Sequence, residues 1–209
     1  MIKNIIFDMG QVLLTFDPLL FISKLGISDK NDIDILLREI YKSLEWSMMD
    51  RGSLSEEEAS KIISKRVPDH LKEYVPKLTS EWTRPIIPIV GAKELIKELK
   101  DNGYKIYLLS NASLNHKNYW HKVPGSEYFD GVVVSSYIKL VKPDPRIYKY
   151  LLDKYDLKAS ESVFIDDSTL NVEGATYSGL KGIVFHGDYI EVREKLIKLK
   201  VNVKKDIID

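Results

Sequence analysis

The chain has 209 residues, of which 44% are hydrophobic and 30% charged, the balance of a folded globular protein rather than a disordered one. Lys plus Arg and Asp plus Glu each number 31, so the formal net charge is zero and there is no electrostatic footprint for nucleic acid or an anionic membrane. Cysteine is absent, which excludes disulfides, thiol nucleophiles and Cys-ligated zinc.

The N-terminus, "MIKNIIFDMG", meets an acid at Asp8 before a signal-peptide core could form. No apolar run approaches the about 20 residues of a membrane helix. A cytoplasmic protein with neither a membrane nor a nucleic-acid partner is the expectation, with oligomeric state left open. "KNIIFD" (3–8) is the first of five apolar runs rich in β-branched and aromatic residues. The others are "YKIYLLS" (104–110), "GVVVS" (131–135), "SVFID" (162–166) and "KGIVF" (181–185). Continuous apolar runs suit strands buried on both faces of a parallel sheet.

After the first run, residues 18–84 carry helical patterns and no convincing strand. "NDIDILLREIYKSLEWSMM" (31–49) reads as one amphipathic helix, and "SLSEEEASKIISKRV" (53–67) as another capped by Ser53 or Ser55. "HLKEYVPKLTSEWTR" (70–84) reads as a third, interrupted at Pro76. Beyond it, "GAKELIKELKDNG" (91–103) places Ala92, Leu95, Ile96 and Leu99 on one stripe, with Gly103 as C-cap. "DPRIYKYLLDKY" (144–155) and "NVEGATYSG" (171–179) are further helices, each leading into a strand. Strand and helix alternate, so the fold class is α/β: a doubly wound, Rossmann-like parallel sheet with a helical bundle inserted after its first strand. The expected division is a core of residues 1–16 and 85–209 and an insertion of residues 17–84. Such an insertion hangs over the carboxyl end of the first strand, where open α/β sheets bind ligands.

Three strand ends then deliver chemistry to one edge. The first brings Asp8, the second Ser110 and Asn111, and the fourth Asp166 and Asp167, while the loop "KLVKPDPRIY" brings Lys142. Crowded carboxylates repel unless a cation sits between them, and oxygen-only ligands suit Mg²⁺. Lysine, a serine hydroxyl and backbone N–H groups suit a phosphate.

At these residues the chain resembles the haloacid dehalogenase superfamily, whose four motifs look matched in order by "FDMGQV", "LLSNAS", Lys142 of "VKPDP" and "FIDDSTLN". The resemblance implies that Asp8 is a nucleophile forming an aspartyl-phosphate from a Mg²⁺-bound phosphomonoester. It implies that Ser110 and Asn111 hold the transferring phosphoryl group and that Lys142 neutralises it and orients Asp8. Asp8, the Gly10 carbonyl and Asp167 are the implied metal ligands, with Asp166 either a ligand or a support for one. The inserted helices look like the small C1-type cap of that superfamily, closing over a small phosphorylated metabolite. "WSMMDRGSLSEEE", "SNASLNH" and "KPDPRIY" further resemble a bacterial branch acting on α-D-glucose 1-phosphate. Asn171 reads as a support for the site or a polar helix-face residue. His116 is a candidate for substrate contact, and Trp46, Trp82 and Trp120 read as aromatic packing.

The chain departs from the pattern at Gly10, where most phosphatases of that superfamily carry a second Asp that protonates the leaving alkoxide and later activates water. General acid–base catalysis is worth roughly 10²–10⁴-fold. Either the leaving group is intrinsically good, as an anomeric hydroxyl is, or another side chain serves, with Asp17 and His116 the nearest candidates. A weakly catalytic sugar-phosphate binder and a phosphotransferase of the same fold are the alternatives. Dehalogenation is disfavoured, because it has no need of carboxylates at 166 and 167.

Overall fold

The computed structural model describes residues 1–81 and 85–205. All five expected strands form: β1 (Asn4–Phe7), β2 (Lys105–Ser110), β3 (Gly131–Val134), β4 (Ser162–Asp166) and β5 (Lys181–Val184). They make one parallel sheet in the order β3-β2-β1-β4-β5. β1 is central, pairing through Phe7 with Leu108 on one side and Ile165 on the other. The ladder runs one residue further, with the Asp8 amide donating to the Ile165 carbonyl at 2.9 Å. Asp8 therefore emerges beside Asp166, at the point where the strand order reverses.

Ten α-helices are described. In chain order they are α1 (Pro18–Lys24), α2 (Lys30–Leu36), α3 (Leu44–Arg51), α4 (Glu56–Ile63), α5 (Tyr74–Ser80), α6 (Ala92–Asp101), α7 (Ser135–Ile138), α8 (Pro145–Lys154), α9 (Thr169–Tyr177) and α10 (Tyr189–Lys198). Side chains alternate across β1, so its two faces serve separate clusters. Ile5 and Phe7 pack with the Leu95–Leu99 stripe of α6 and with Val192 and Leu196 of α10. Ile6 faces Ile147, Tyr148 and Leu151 of α8 and Ala175 of α9. Three layers result, and each fully buried aliphatic side chain contributes roughly 1.5–3 kcal/mol. Helices α1–α5 share a third cluster of their own, centred on Ile22, Leu36, Ile40, Ile63 and Val75.

The reading of 31–49 as one helix is corrected. α2 passes into a π-helical turn over Leu37–Tyr41, and α3 begins afresh where the Ser43 side chain accepts from the Trp46 amide. Pro76 does not interrupt α5. It sits in the first helical turn, where a missing N–H costs no hydrogen bond. Ser55, rather than Ser53, caps α4 through a capping box with Glu58. The end of the third expected helix, with Trp82, lies outside the described residues.

Candidate active site

Asp8, Lys142 and Asp166 form a chain of charge below the carboxyl edge of the sheet. Lys142 Nζ stands 2.8 Å from Asp8 Oδ1 and 2.6 Å from Asp166 Oδ2. The lysine and Asp166 side chains are 1% and 0% exposed, and that of Asp8 is 11% exposed. Buried charges of this kind persist only when paired and hydrogen-bonded. Asp166 meets that requirement fully: it also accepts from the Ser168 amide at 2.8 Å and from Asn171 Nδ2 at 3.0 and 3.2 Å. Asn171 thus supports the site rather than decorating a helix face. The main chain of Lys142 is fixed as well, because Asn111 Oδ1 accepts its N–H at 2.8 Å and Asn111 Nδ2 donates to its carbonyl at 3.1 Å.

Burial works against the charge of Lys142, but Asp8 and Asp166 outweigh it and hold the ammonium above the ordinary lysine pKa. Burial pushes Asp8 up to about 7; attraction to Lys142 opposes the rise and the Asp166 charge adds to it. Asp167 is also raised, first by burial and then by Asp166. One carboxylate oxygen from each of Asp8, Asp166 and Asp167 lies within 4.8 Å of the others, an oxygen-only donor set of the kind a hard divalent cation takes. A cation there favours the ionised form of all three. The turn after Asp8 fits the same role. The Met9 carbonyl accepts from the Leu13 and Leu14 amides, whereas among the described residues no hydrogen bond takes the Gly10 carbonyl.

Asp8, Gly10, Asn111 and Asp167 line a cavity of about 170 Å³, whose upper wall is Phe16, Trp46 and Met49. Trp46 packs on Phe16 and Tyr41 at ring distances of 5.6 and 4.9 Å, so it both packs and faces the cavity. Ser110, the last residue of β2, is buried and does not line the cavity; Asn111, Ala112 and Ser113 do. Helices α3–α5 are tied over the opening. Asn115 Nδ2 donates to the Ser80 carbonyl at 2.8 Å, the Asn115 amide to Glu56 at 3.0 Å, and the Ser135 hydroxyl to the Asp50 carbonyl.

Neither sequence candidate for the missing acid–base group reaches the cavity wall. Asp17 is the N-cap of α1, accepting from the Leu19 and Leu20 amides. His116 is buried in a stack on Trp120, with its Nδ1 3.4 Å from the Tyr137 hydroxyl, and burial lowers its pKa to about 4. The residue that sequence reading missed is Asp50, near the end of α3, which does line the cavity. Burial, reinforced by the Asp8 charge, pushes its carboxyl up to about 7.

The model of the haloacid dehalogenase-like hydrolases matches residues 2–179. The chain belongs to that family. A sesquiterpene phosphatase of Aspergillus oryzae is 26% identical to this haloacid dehalogenase-like hydrolase over 87% of the chain and 88% of its own length. A phosphorylated-carbohydrates phosphatase of Thermotoga maritima is 23% identical over 87% and 83% respectively. Several other curated relatives are much longer, and the chain spans about a third of their length or less. Among solved structures, a family enzyme of Bacteroides thetaiotaomicron in complex with magnesium and inorganic phosphate superposes with a TM-score of 0.69 at 22% identity, covering 92% of this chain and 99% of that one. Among the described residues, no helix of this hydrolase is long and apolar enough to cross a membrane.

Proposed function

We propose that the protein is a Mg²⁺-dependent phosphomonoester hydrolase working through an aspartyl-phosphate on Asp8. The observation that carries this reading is the placement of Lys142 between Asp166 and Asp8, the latter lining the cavity together with Asp167. Asp8 offers a carboxylate oxygen held in one rotamer by the lysine, which is the requirement for a nucleophile aimed at phosphorus. Lys142 spreads its charge between that carboxylate and the arriving phosphoryl oxygens. The backbone N–H groups of Asn111 and Ser113, with the Ser110 hydroxyl, complete the phosphate cradle. Mg²⁺, held by Asp8, the Gly10 carbonyl and Asp167, supplies charge neutralisation and orientation of the phosphate when bound. Asp166 serves by fixing Lys142, since its oxygens are taken by Lys142, Asn171 and Ser168.

The substrate is a small metabolite with one phosphoryl group, of which a sugar 1-phosphate is the leading class. Among the described residues the cavity lining contains no lysine or arginine, so a second phosphate finds no counter-charge there. The wall of Phe16 and Trp46 offers a flat face to a sugar ring. The same wall, with Met49, also suits a small isoprenoid alcohol, and the Aspergillus relative's sesquiterpene substrate supports that as the second reading. Residues 17–84 act in this reading as the cap that shuts the leaving group away from water.

The experiment is phosphate release from a panel of phosphomonoesters, including hexose 1-phosphates and short prenyl monophosphates, with and without Mg²⁺. Release that needs Mg²⁺ and disappears in Asp8→Asn is expected. Ligand-dependent thermal stabilisation without release points to the binder instead.

A further inference from the structure

Gly10 leaves the nucleophile without the neighbouring carboxylate that would handle protons, so that work falls to another group facing the same cavity. We propose that Asp50, carried by α3, is the general acid–base residue of this site. The proposal rests on the phosphatase reading above and adds a catalytic residue to it.

Position is the first support. Three acidic side chains line the cavity, Asp8, Asp50 and Asp167, and only Asp50 stands outside the cluster suited to a metal. Trp46 is one helical turn before Asp50 on the same face of α3 and also lines the cavity, as does Met49. The helix that contacts the leaving group therefore carries the acid beside it.

Anchoring is the second. Among the described residues no hydrogen bond or ion pair engages the Asp50 carboxylate, yet its main chain is fixed to the core. The Asp50 carbonyl accepts from the Ser135 hydroxyl, which itself accepts the Ala112 amide at 3.0 Å. Two residues on, Gly52 adopts φ +73°, and a Cβ added there would lie 2.2 Å from the Ser136 carbonyl oxygen. Glycine is thus required for α3 to approach the core this closely. A carboxylate whose backbone is pinned and whose oxygens are unclaimed is aimed at something the cavity receives. Its raised pKa agrees with a group that holds a proton near neutrality.

The chemistry balances on this assignment. As the Asp8 oxygen bonds to phosphorus and the bond from phosphorus to the leaving oxygen breaks, the Asp50 carboxyl gives its proton to that oxygen and the alcohol departs. The resulting Asp50 carboxylate then takes a proton from the water attacking the Asp8 phosphate. Inorganic phosphate leaves, Asp8 regains its carboxylate and Asp50 regains its proton.

The test is the leaving-group dependence of kcat/KM in the whole protein with Mg²⁺. This parameter reports the steps up to phosphorylation of Asp8, where a poor leaving group needs the acid. Asp50→Asn is expected to lower kcat/KM on alkyl phosphates by about 10²–10⁴-fold, but only a few-fold on p-nitrophenyl phosphate, whose leaving group needs no proton. With that aryl substrate the variant is expected to show a burst of nitrophenol followed by slow turnover. Gly10 has no positive φ, and a Cβ there meets only the Phe16 Cβ at 3.7 Å, so a side chain fits. Gly10→Asp in the Asp50→Asn background is then expected to recover about tenfold or more on alkyl phosphates, which a packing role for Asp50 would not permit. Retention of the Mg²⁺-induced rise in melting temperature reports an intact fold and metal site in the variant. An equal loss on aryl and alkyl substrates, or no recovery with Gly10→Asp, overturns the assignment while leaving the phosphatase reading in place. An unaltered protein that releases no phosphate from any phosphomonoester overturns that reading, and the role of Asp50 with it.

Discussion

Replacing Lys142 with methionine keeps the length of the side chain and removes its charge, so that Asp8 and Asp166 face each other without a cation. Both ion pairs are short, at 2.8 and 2.6 Å, and all three side chains are nearly or wholly buried. Removing one partner from a buried charge network costs about 3–5 kcal/mol. Asp166 keeps its Ser168 and Asn171 donors, so the loss falls mainly on Asp8 and the lower part of that range applies. For a chain of this size 1 kcal/mol moves the melting temperature by about 2–4 °C, which makes the expected drop about 6–12 °C at about pH 9, above the Asp8 pKa.

The pH dependence of the deficit tests the cause. Without the lysine, the desolvated Asp8 carboxylate binds its proton still more tightly in the folded protein than in the unfolded chain, where an Asp has a pKa near 3.9. A raised folded pKa means stability that is present below the unfolded value and lost as pH rises through the folded one. The deficit of Lys142→Met should therefore be small near pH 5, where Asp8 carries its proton with or without the lysine, and grow from pH 7 to 9, in thermal or denaturant unfolding with EDTA present. A deficit below about 1 kcal/mol at pH 9, or one of equal size at pH 5 and pH 9, would refute the view that Lys142 offsets the desolvation of Asp8.

Two further outcomes bear on the carboxylate cluster and on the docking of α3. Burial keeps the Asp8 carboxyl up at about 7 against the pull of Lys142, and Asp167 is raised too, so protons compete with Mg²⁺ for this site. The Mg²⁺-induced rise in melting temperature should be small at pH 5.5 and grow through pH 7 to 8 in scanning fluorimetry; an equal rise at both ends would exclude these carboxylates as ligands. Gly52→Ala forces a Cβ into a left-handed residue and against the Ser136 carbonyl, at a cost of at least 1–2 kcal/mol for the backbone alone, to order of magnitude. It should lower kcat/KM through displacement of α3 and speed amide exchange in α3 while leaving β1 protected; unchanged exchange in α3 would count against its docking on α7.

The five strands could be read from the sequence because a parallel strand buried on both faces is an uninterrupted apolar run, as "NIIF" and "SVFID" are. The segment from Asn31 to Met49 misled for a related reason. Its apolar period continues through the π-helical turn at Leu37–Tyr41, and the only local sign of the break is Ser43, a cap residue among many serines. On the site, the strand-end carboxylates declared themselves by being expensive to bury, and Lys142 by its place in the order of the motifs. Asp50 did not, because "SMMDRG" on an amphipathic helix has the appearance of an acid on a solvated face. Its position over the cavity is a product of tertiary docking, and the one local trace of that docking is the glycine two residues later. Asn111 reads as a phosphate ligand by its place after β2. Asn111 does line the cavity, and its side-chain amide is committed to both backbone polar groups of Lys142, a pairing between residues 31 apart that no local pattern encodes.

The polar groups of the site divide by whether the protein itself satisfies them. Lys142, Asp166, Asn171 and Asn111 are tied to one another or to backbone, and such a closed network is rigid, so it holds the geometry around Asp8. The Gly10 carbonyl and the Asp50 carboxylate have no such ties among the described residues, and both face or border the cavity. One comes from the core and the other from the helix docked on it through Ser135, Ser136 and Gly52. A carboxylate two residues after the nucleophile would be in place whether or not that helix were docked. Asp50 is in place only when it is, so an acid–base role for Asp50 ties proton transfer to the docking of that helix.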